Sequence, residues 1–324
     1  MVRPPTNGFG FPWTDSDPCP CGGNDAFSRC CKGDDGLPAM AVGRLIPPNA
    51  PTGEATEGCY LASSQNCGGA LSREHYISRA LIDRSEVFVR GMPWQKEEVQ
   101  RFSPDNLTAK ILCRRHNSAL SPLDEHAKRF FLSLEAANHH ASRRSLSRRP
   151  AFFMTSGDGM ELWAMKTLAG LYASKIDFET PSHRFRDLDI PMEQITRELT
   201  SERPRSMVRM IVPLGLDEHE ERLGRRAVSI GPIVNDDSDR LLGLMIRLHG
   251  FSFHFYIEPA ERGPNAGHET ARPNMIDIIG PARTARIYVS WREHRGPGQI
   301  VEVRVSHRRG KFRAPTDPIT PLGQ

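Results

Sequence analysis

Seven cysteines, Cys19, Cys21, Cys30, Cys31, Cys59, Cys67 and Cys113, leave the last 211 residues of a 324-residue chain without one. An odd number crowded into one region does not form a disulfide framework for the whole protein. The opening string MVRPPTNGFGFPW lacks the apolar core of a signal peptide. Reduced thiols and a cytoplasmic location are therefore expected, and clustered reduced thiols read as metal ligands. Cys19, Cys21, Cys30 and Cys31 form one group, and four thiolates suit a tetrahedral zinc ion. So short a segment has little core of its own, so the metal would supply its folding energy. The alternative is a surface loop of redox-active thiols. Cys59, Cys67 and Cys113 need a fourth ligand, which His116 offers in the run Cys113-Arg-Arg-His116. A second zinc site of three Cys and one His accounts for every cysteine. Both sites would be structural, because four protein ligands leave no open position.

The string DPCPCGGNDAFSRCCKG resembles the SEC-C motif, a small bacterial zinc module with the pattern C-x-C-x8-C-[CH]. That resemblance implies a docking or stabilising role and a protein partner. Members usually carry lysines between the cysteine pairs, whereas this segment reads GGNDAFSR.

Between the ligands of the second set lie LSREHYISRAL (71–81) and Asp105-Asn106-Leu107, and Asn117 follows His116 directly. The order C…C…EH…NL…CxxHN resembles the HNH nuclease family over residues 57 to about 130. This resemblance implies a ββα-metal fold and metal-dependent hydrolysis of DNA phosphodiesters. It assigns the general base to His75, a group able to take a proton near neutral pH. Asn106 would orient the base, and Glu74 and Asn117 would hold a catalytic Mg²⁺ or Mn²⁺, ions that favour oxygen ligands. In an alternative alignment His116 is the last motif residue and not a zinc ligand. By analogy with the class, defence against foreign DNA is a plausible setting, and a homodimer is compatible with cutting both strands.

Charge agrees with a nucleic-acid partner. The whole chain carries +4, but residues 73–149 hold 15 Lys and Arg against nine Asp and Glu. Arg79, Arg114, Arg115, Arg143 and Arg144 are the expected phosphate contacts. Two other readings stay open. One is a catalytically inactive, zinc-stabilised adaptor that binds nucleic acid or protein, and the other is an RNA-cleaving toxin.

The elements that must position these residues are legible in part. Ser121-Pro122-Leu123-Asp124 reads as a helix start, followed by Leu123, Ala127, Phe130 and Leu134 at helical spacing. A second helix is expected from about Met160 to Ala173, with Leu162, Met165, Leu168, Ala169 and Tyr172 on one face. Strands are expected over Met207–Leu214, Val228–Val234, Leu241–Leu248, Phe251–Ile257, Arg286–Trp291 and Ile300–Val305, with a hairpin turn at His249-Gly250. The fold class is α+β. It comprises a SEC-C-like zinc module (1–36), a Pro/Gly-rich linker (37–56), an HNH-like domain with structural zinc (57–150), an accessory domain with a mainly antiparallel sheet (151–307) and a disordered tail (308–324). Mean hydropathy of −0.48 and the absence of a long apolar run exclude a membrane-spanning class.

Overall fold

The computed structural model describes residues 12–21, 23–34, 36, 38–81, 87–90, 99–142, 150–175, 185, 188–213, 228–235, 241–248, 251–257, 269–280, 283–292 and 300–304. The turn expected at 249–250, the tail from 308, and Arg143 and Arg144 lie outside these residues.

Strand β1 (Leu71–His75) pairs antiparallel with β4 (Thr108–Cys113), Leu71 facing Cys113 and His75 facing Thr108. A small hairpin, β2 (Val87–Arg90) with β3 (Val99–Phe102), is inserted between them. The 29-residue helix α2 (Arg114–Ser142) leaves β4 without a linker. Together β1, β4 and α2 make a strand–strand–helix corner.

Helix α2 begins seven residues before the Ser121-Pro122 start expected from sequence. Pro122 lies inside it, where a missing N–H would orphan the Ser118 carbonyl. The Ser121 hydroxyl donates to that carbonyl at 2.8 Å, so the helix passes through the proline with the acceptor satisfied.

Helix α3 (Gly157–Ala173) starts where Ser156 Oγ accepts from the Gly159 amide at 3.1 Å, with Asp158 in the first turn. A Cβ on Gly157 would lie 2.3 Å from the Trp291 ring, and one on Gly159 2.8 Å from His126. The Gly-Asp-Gly turn is thus a packing device. Helix α3 is not amphipathic in the way its spacing suggested. From Gly157 to Leu171 only Asp158 is incompletely buried, because other elements cover the helix on all sides.

Helix α4 (Met192–Leu199) packs on α3. One sheet is antiparallel, in the order β10 (Glu269–Ala271), β6 (Val208–Pro213), β9 (Phe251–Ile257), β8 (Leu241–Leu248), β7 (Val228–Val234). The other has the order β13 (Ile300–Arg304), β11 (Met275–Ile279), β12 (Thr284–Ser290), β5 (Ala151–Ser156). It is mixed, since β11–β13 and β12–β5 are parallel. Sequence reading missed β5, β10, β11 and α4.

One hydrophobic cluster runs from Val42 to Val301 and crosses the division placed at residue 150. Phe130 of α2 meets Phe253 of β9 at 5.1 Å, and Phe131 meets Trp163 of α3 at 5.7 Å. The segment read as a linker is pinned to this body, with Val42 and Leu45 in its core. Among the described residues no helix is long and apolar enough to cross a membrane.

Candidate metal centres and the strand–strand–helix corner

Two groups of side chains could each hold a zinc ion: Cys19, Cys21, Cys30 and Cys31, and Cys59, Cys67, Cys113 and His116. In each, all ligand atoms lie within 4.8 Å of one another.

The first group hangs on a short helix, α1 (Phe27–Cys30), and the turns around it. Cys21 and Cys30 Sγ are 3.5 Å apart, and Cys30 and Cys31 Sγ 3.6 Å. With Zn–S bonds near 2.3 Å, the edge of a tetrahedral site is about 3.7 Å, so the sulfurs are spaced for an ion. Burial raises the Cys19 thiol to about 12 and pushes Cys31 up strongly. At Cys21 burial also acts upward, but the Gly23 amide and the other thiols outweigh it, and the thiol is lowered. Buried sulfurs that resist ionisation need a cation to become thiolates, which is what zinc supplies.

The module is seated by aromatic contacts. Trp13 lies 5.1 Å from Tyr288, 6.1 Å from Phe27 and 6.3 Å from Phe152. Arg129 of α2 donates to the Cys21 carbonyl at 3.1 Å.

In the second group, His116 Nδ1 faces the sulfurs of Cys113, Cys59 and Cys67 at 3.3, 3.5 and 3.7 Å. Its other nitrogen, Nε2, is 3.1 Å from Ser64 Oγ, and that hydroxyl donates to the Leu61 carbonyl at 2.7 Å. Ser64 therefore accepts from Nε2–H, which fixes the tautomer and turns the Nδ1 lone pair toward the sulfurs. The gap between Cys59 and Cys67, wider than usual for a knuckle, is closed by a 3₁₀ turn over Ala62–Ser64 and a left-handed Gln65 at φ 50°. Burial raises Cys59 to about 12. Burial acts upward on Cys113 too, but the amides of Gly68 and His116 point at its sulfur and lower it overall. Burial also lowers His116, helped by Arg115, keeping the imidazole neutral as a ligand must be. This geometry places His116 with the thiols.

His75 ends β1, and its Nε2 is buried without a hydrogen-bond partner. Asp105 Oδ1 stands 3.9 Å away, and Arg79 Nε is 3.9 Å from the same oxygen. Burial holds the His75 imidazole below its ordinary value, with Asp105 acting against it, so the ring is neutral and able to accept a proton. Tyr76 N donates to Leu107 O at 3.0 Å and ties the end of β1 to the Asn106 turn. The Asn106 side chain is exposed and makes no hydrogen bond among the described residues. Asn117, in the first turn of α2, donates from Nδ2 to Ser72 Oγ at 3.0 Å.

Glu74 departs from expectation. It is buried, and its Oε1 is 2.7 Å from Lys166 Nζ of α3. The same ammonium is 2.7 Å from Asp124 Oδ2. Sequence reading missed both Lys166 and Asp124, although a lone lysine within the apolar run LWAMKTLAG was a signal.

Arg115 also departs from its expected role. Its guanidinium donates to Asn66 Oδ1, Asn49 O and Ala50 O at 3.0, 2.8 and 2.9 Å, and so holds a loop in place. Arg79 and Arg114 are exposed. Arg73 and Lys110, which sequence reading passed over, are exposed and directly opposite each other across β1 and β4. Comparison of the chain with family models, curated proteins and solved structures gives no match.

Proposed function

We propose that this protein is an endonuclease of HNH type that hydrolyses DNA phosphodiesters, with His75 as the general base. The observation that carries this reading is the buried Nε2 of a neutral His75 at the end of a strand–strand–helix corner, without a hydrogen-bond partner among the described residues and 3.9 Å from Asp105 Oδ1. A base for activating water must be neutral, fixed and not committed to another partner. The β1–β4 pair fixes its strand, and the second thiol–imidazole set fastens β4 to the first turn of α2, which carries Asn117.

Charge gives independent support. Arg73 and Lys110 are like charges on facing strand positions, an arrangement that costs stability unless an anion lies between them. Such a facing pair of exposed cations is suited to a phosphate backbone.

The HNH resemblance implies a Mg²⁺ or Mn²⁺ on Glu74 and Asn117. Asn117 fits, since among the described residues only its amide nitrogen is engaged, on Ser72. Glu74 does not, because its carboxylate is the counter-ion of the buried Lys166.

The Glu74–Lys166 pair also favours a second reading, the non-catalytic nucleic-acid-binding adaptor. Plasmid nicking with Mg²⁺, with Mn²⁺ and with neither, comparing wild type with His75→Ala, separates the two. We expect nicking by the wild type that is lost in His75→Ala. Nicking retained in the variant overturns the assignment of the base. A wild type that binds DNA but leaves DNA and RNA uncut, and matches His75→Ala, supports the adaptor.

A further inference from the structure

Lys166 lies within α3 and is 4% exposed. Its ammonium touches Glu74 of β1 and Asp124 of α2, so three elements drawn from both sides of residue 150 converge on one charge. An ammonium taken out of water needs acceptors for its N–H groups, and the two carboxylates meet two of the three at 2.7 Å each. Burial pulls the Lys166 ammonium down, but Glu74 and Asp124 together outweigh it, and it stays protonated.

We propose that Lys166 is the resident cation of the Glu74–Asp124 carboxylate pair and keeps a divalent ion out of it. A Mg²⁺ or Mn²⁺ ion on Glu74 Oε1 would sit about 2.1 Å from an oxygen that is itself 2.7 Å from Nζ. The ion and the ammonium would then be no more than about 5 Å apart, with little water between to screen them. Moving Lys166 aside to admit the ion would strand a buried ammonium, since α3 is enclosed on all sides. The positive charge behind His75 therefore comes from α3, as a permanent part of the fold. This holds whether or not the corner cuts nucleic acid.

The test is Mn²⁺ titration of the zinc-saturated, full-length protein, followed by the electron paramagnetic resonance of free Mn²⁺. Wild type and Glu74→Gln should bind Mn²⁺ alike. Lys166→Met, with two carboxylates facing no cation, should gain a site roughly tenfold or more tighter than any in the wild type. The double variant Lys166→Met/Glu74→Gln should lose that site, and Lys166→Arg, which keeps the charge, should behave as wild type. A wild-type Mn²⁺ site that Glu74→Gln removes overturns the proposal, as does a folded Lys166→Met that gains no site. Should Lys166→Met fail to fold, the comparison of wild type with Glu74→Gln still decides, since a difference overturns the proposal and equality supports it. The readout is metal binding, so its outcome is separate from that of the nicking assay.

Discussion

Glu161 and Lys166 are two charges on one enclosed helix, and their partners come from opposite directions. Lys166 reaches the strand–strand–helix corner, whereas Glu161, 0% exposed, accepts from the Arg272 guanidinium twice at 2.9 Å and from the Met210 amide at 2.8 Å. Arg272 adopts a left-handed φ of 46°, a conformation that costs a residue with a Cβ of order 1 kcal/mol. Its guanidinium also lies over the Trp291 ring at 5.7 Å. Burial raises the Glu161 carboxyl to about 7, with Arg272 and the Met210 amide acting against it. A carboxyl with a raised folded-state pKa binds its proton more tightly when folded. Its favourable contribution is therefore complete below the unfolded value near 4.5 and is lost as pH rises through about 7. Between those limits the stability of wild type relative to Glu161→Gln should fall, by about 3 kcal/mol for a shift of this size. Denaturant unfolding of both proteins across that window checks it, and a relative stability that rises with pH would show that Arg272 dominates over burial. At this scale the metal ligands were legible and the charges on α3 were not. Cysteine and histidine announce their chemistry by type and spacing. A buried lysine is explained only by a partner 42 residues away in Asp124, which no local pattern encodes.

Helix α2 shows how a local signal can mislead. Ser121-Pro122 has the composition of a helix start, yet the chain is already helical from Arg114, and that first helical turn brings His116 to the site where β4 ends on Cys113. The Ser121 hydroxyl repairs the acceptor that Pro122 leaves open. Ser121→Ala should cost about 1 kcal/mol in the wild-type helix, the usual worth of one hydrogen bond. In a Pro122→Ala background the backbone N–H returns, and the same substitution should cost close to nothing. A double-mutant cycle by denaturant unfolding reads the difference, and equal costs in both backgrounds would mean that the hydroxyl does not perform the repair. The same contrast runs through the strands. The run FSFHFYI alternates, and its strand matches expectation to the residue, with Phe251, Phe253, Phe255 and Ile257 buried. AFFMTS and MIDII do not alternate, since each lies in a sheet covered on both faces, so β5 and β11 carry no period-two signal.

Coverage of that mixed sheet on both faces ties the first cysteine group to the rest of the molecule. Ile276, Ile278, Ile287 and Val289 belong to the main core. Met154, Met275 and Tyr288 belong to a second cluster with Cys19, Phe27, Cys31 and Met40, against which Trp13 and Phe152 pack. The segment with the first cysteine group is therefore the outer layer of this sheet. A segment this short cannot hold its shape by burial alone, so an ion on its four thiols would maintain the cover. Metal analysis should find two zinc ions per chain, one for each ligand set, and Cys30→Ser, at an exposed thiol, should retain one. In a Trp94→Phe background, where Trp13, Trp163 and Trp291 are the remaining tryptophans, that substitution should release Trp13 from its contact with Tyr288, with a red shift in emission, because Trp163 and Trp291 are buried in the main core and report no change there. Far-ultraviolet circular dichroism should stay near that of the wild type, while the uncovered Phe152, Met154 and Tyr288 should promote self-association. A variant with one zinc and unchanged emission would mean that aromatic packing seats the segment without its metal. Global unfolding on the same loss would mean that the second cluster is needed by the core.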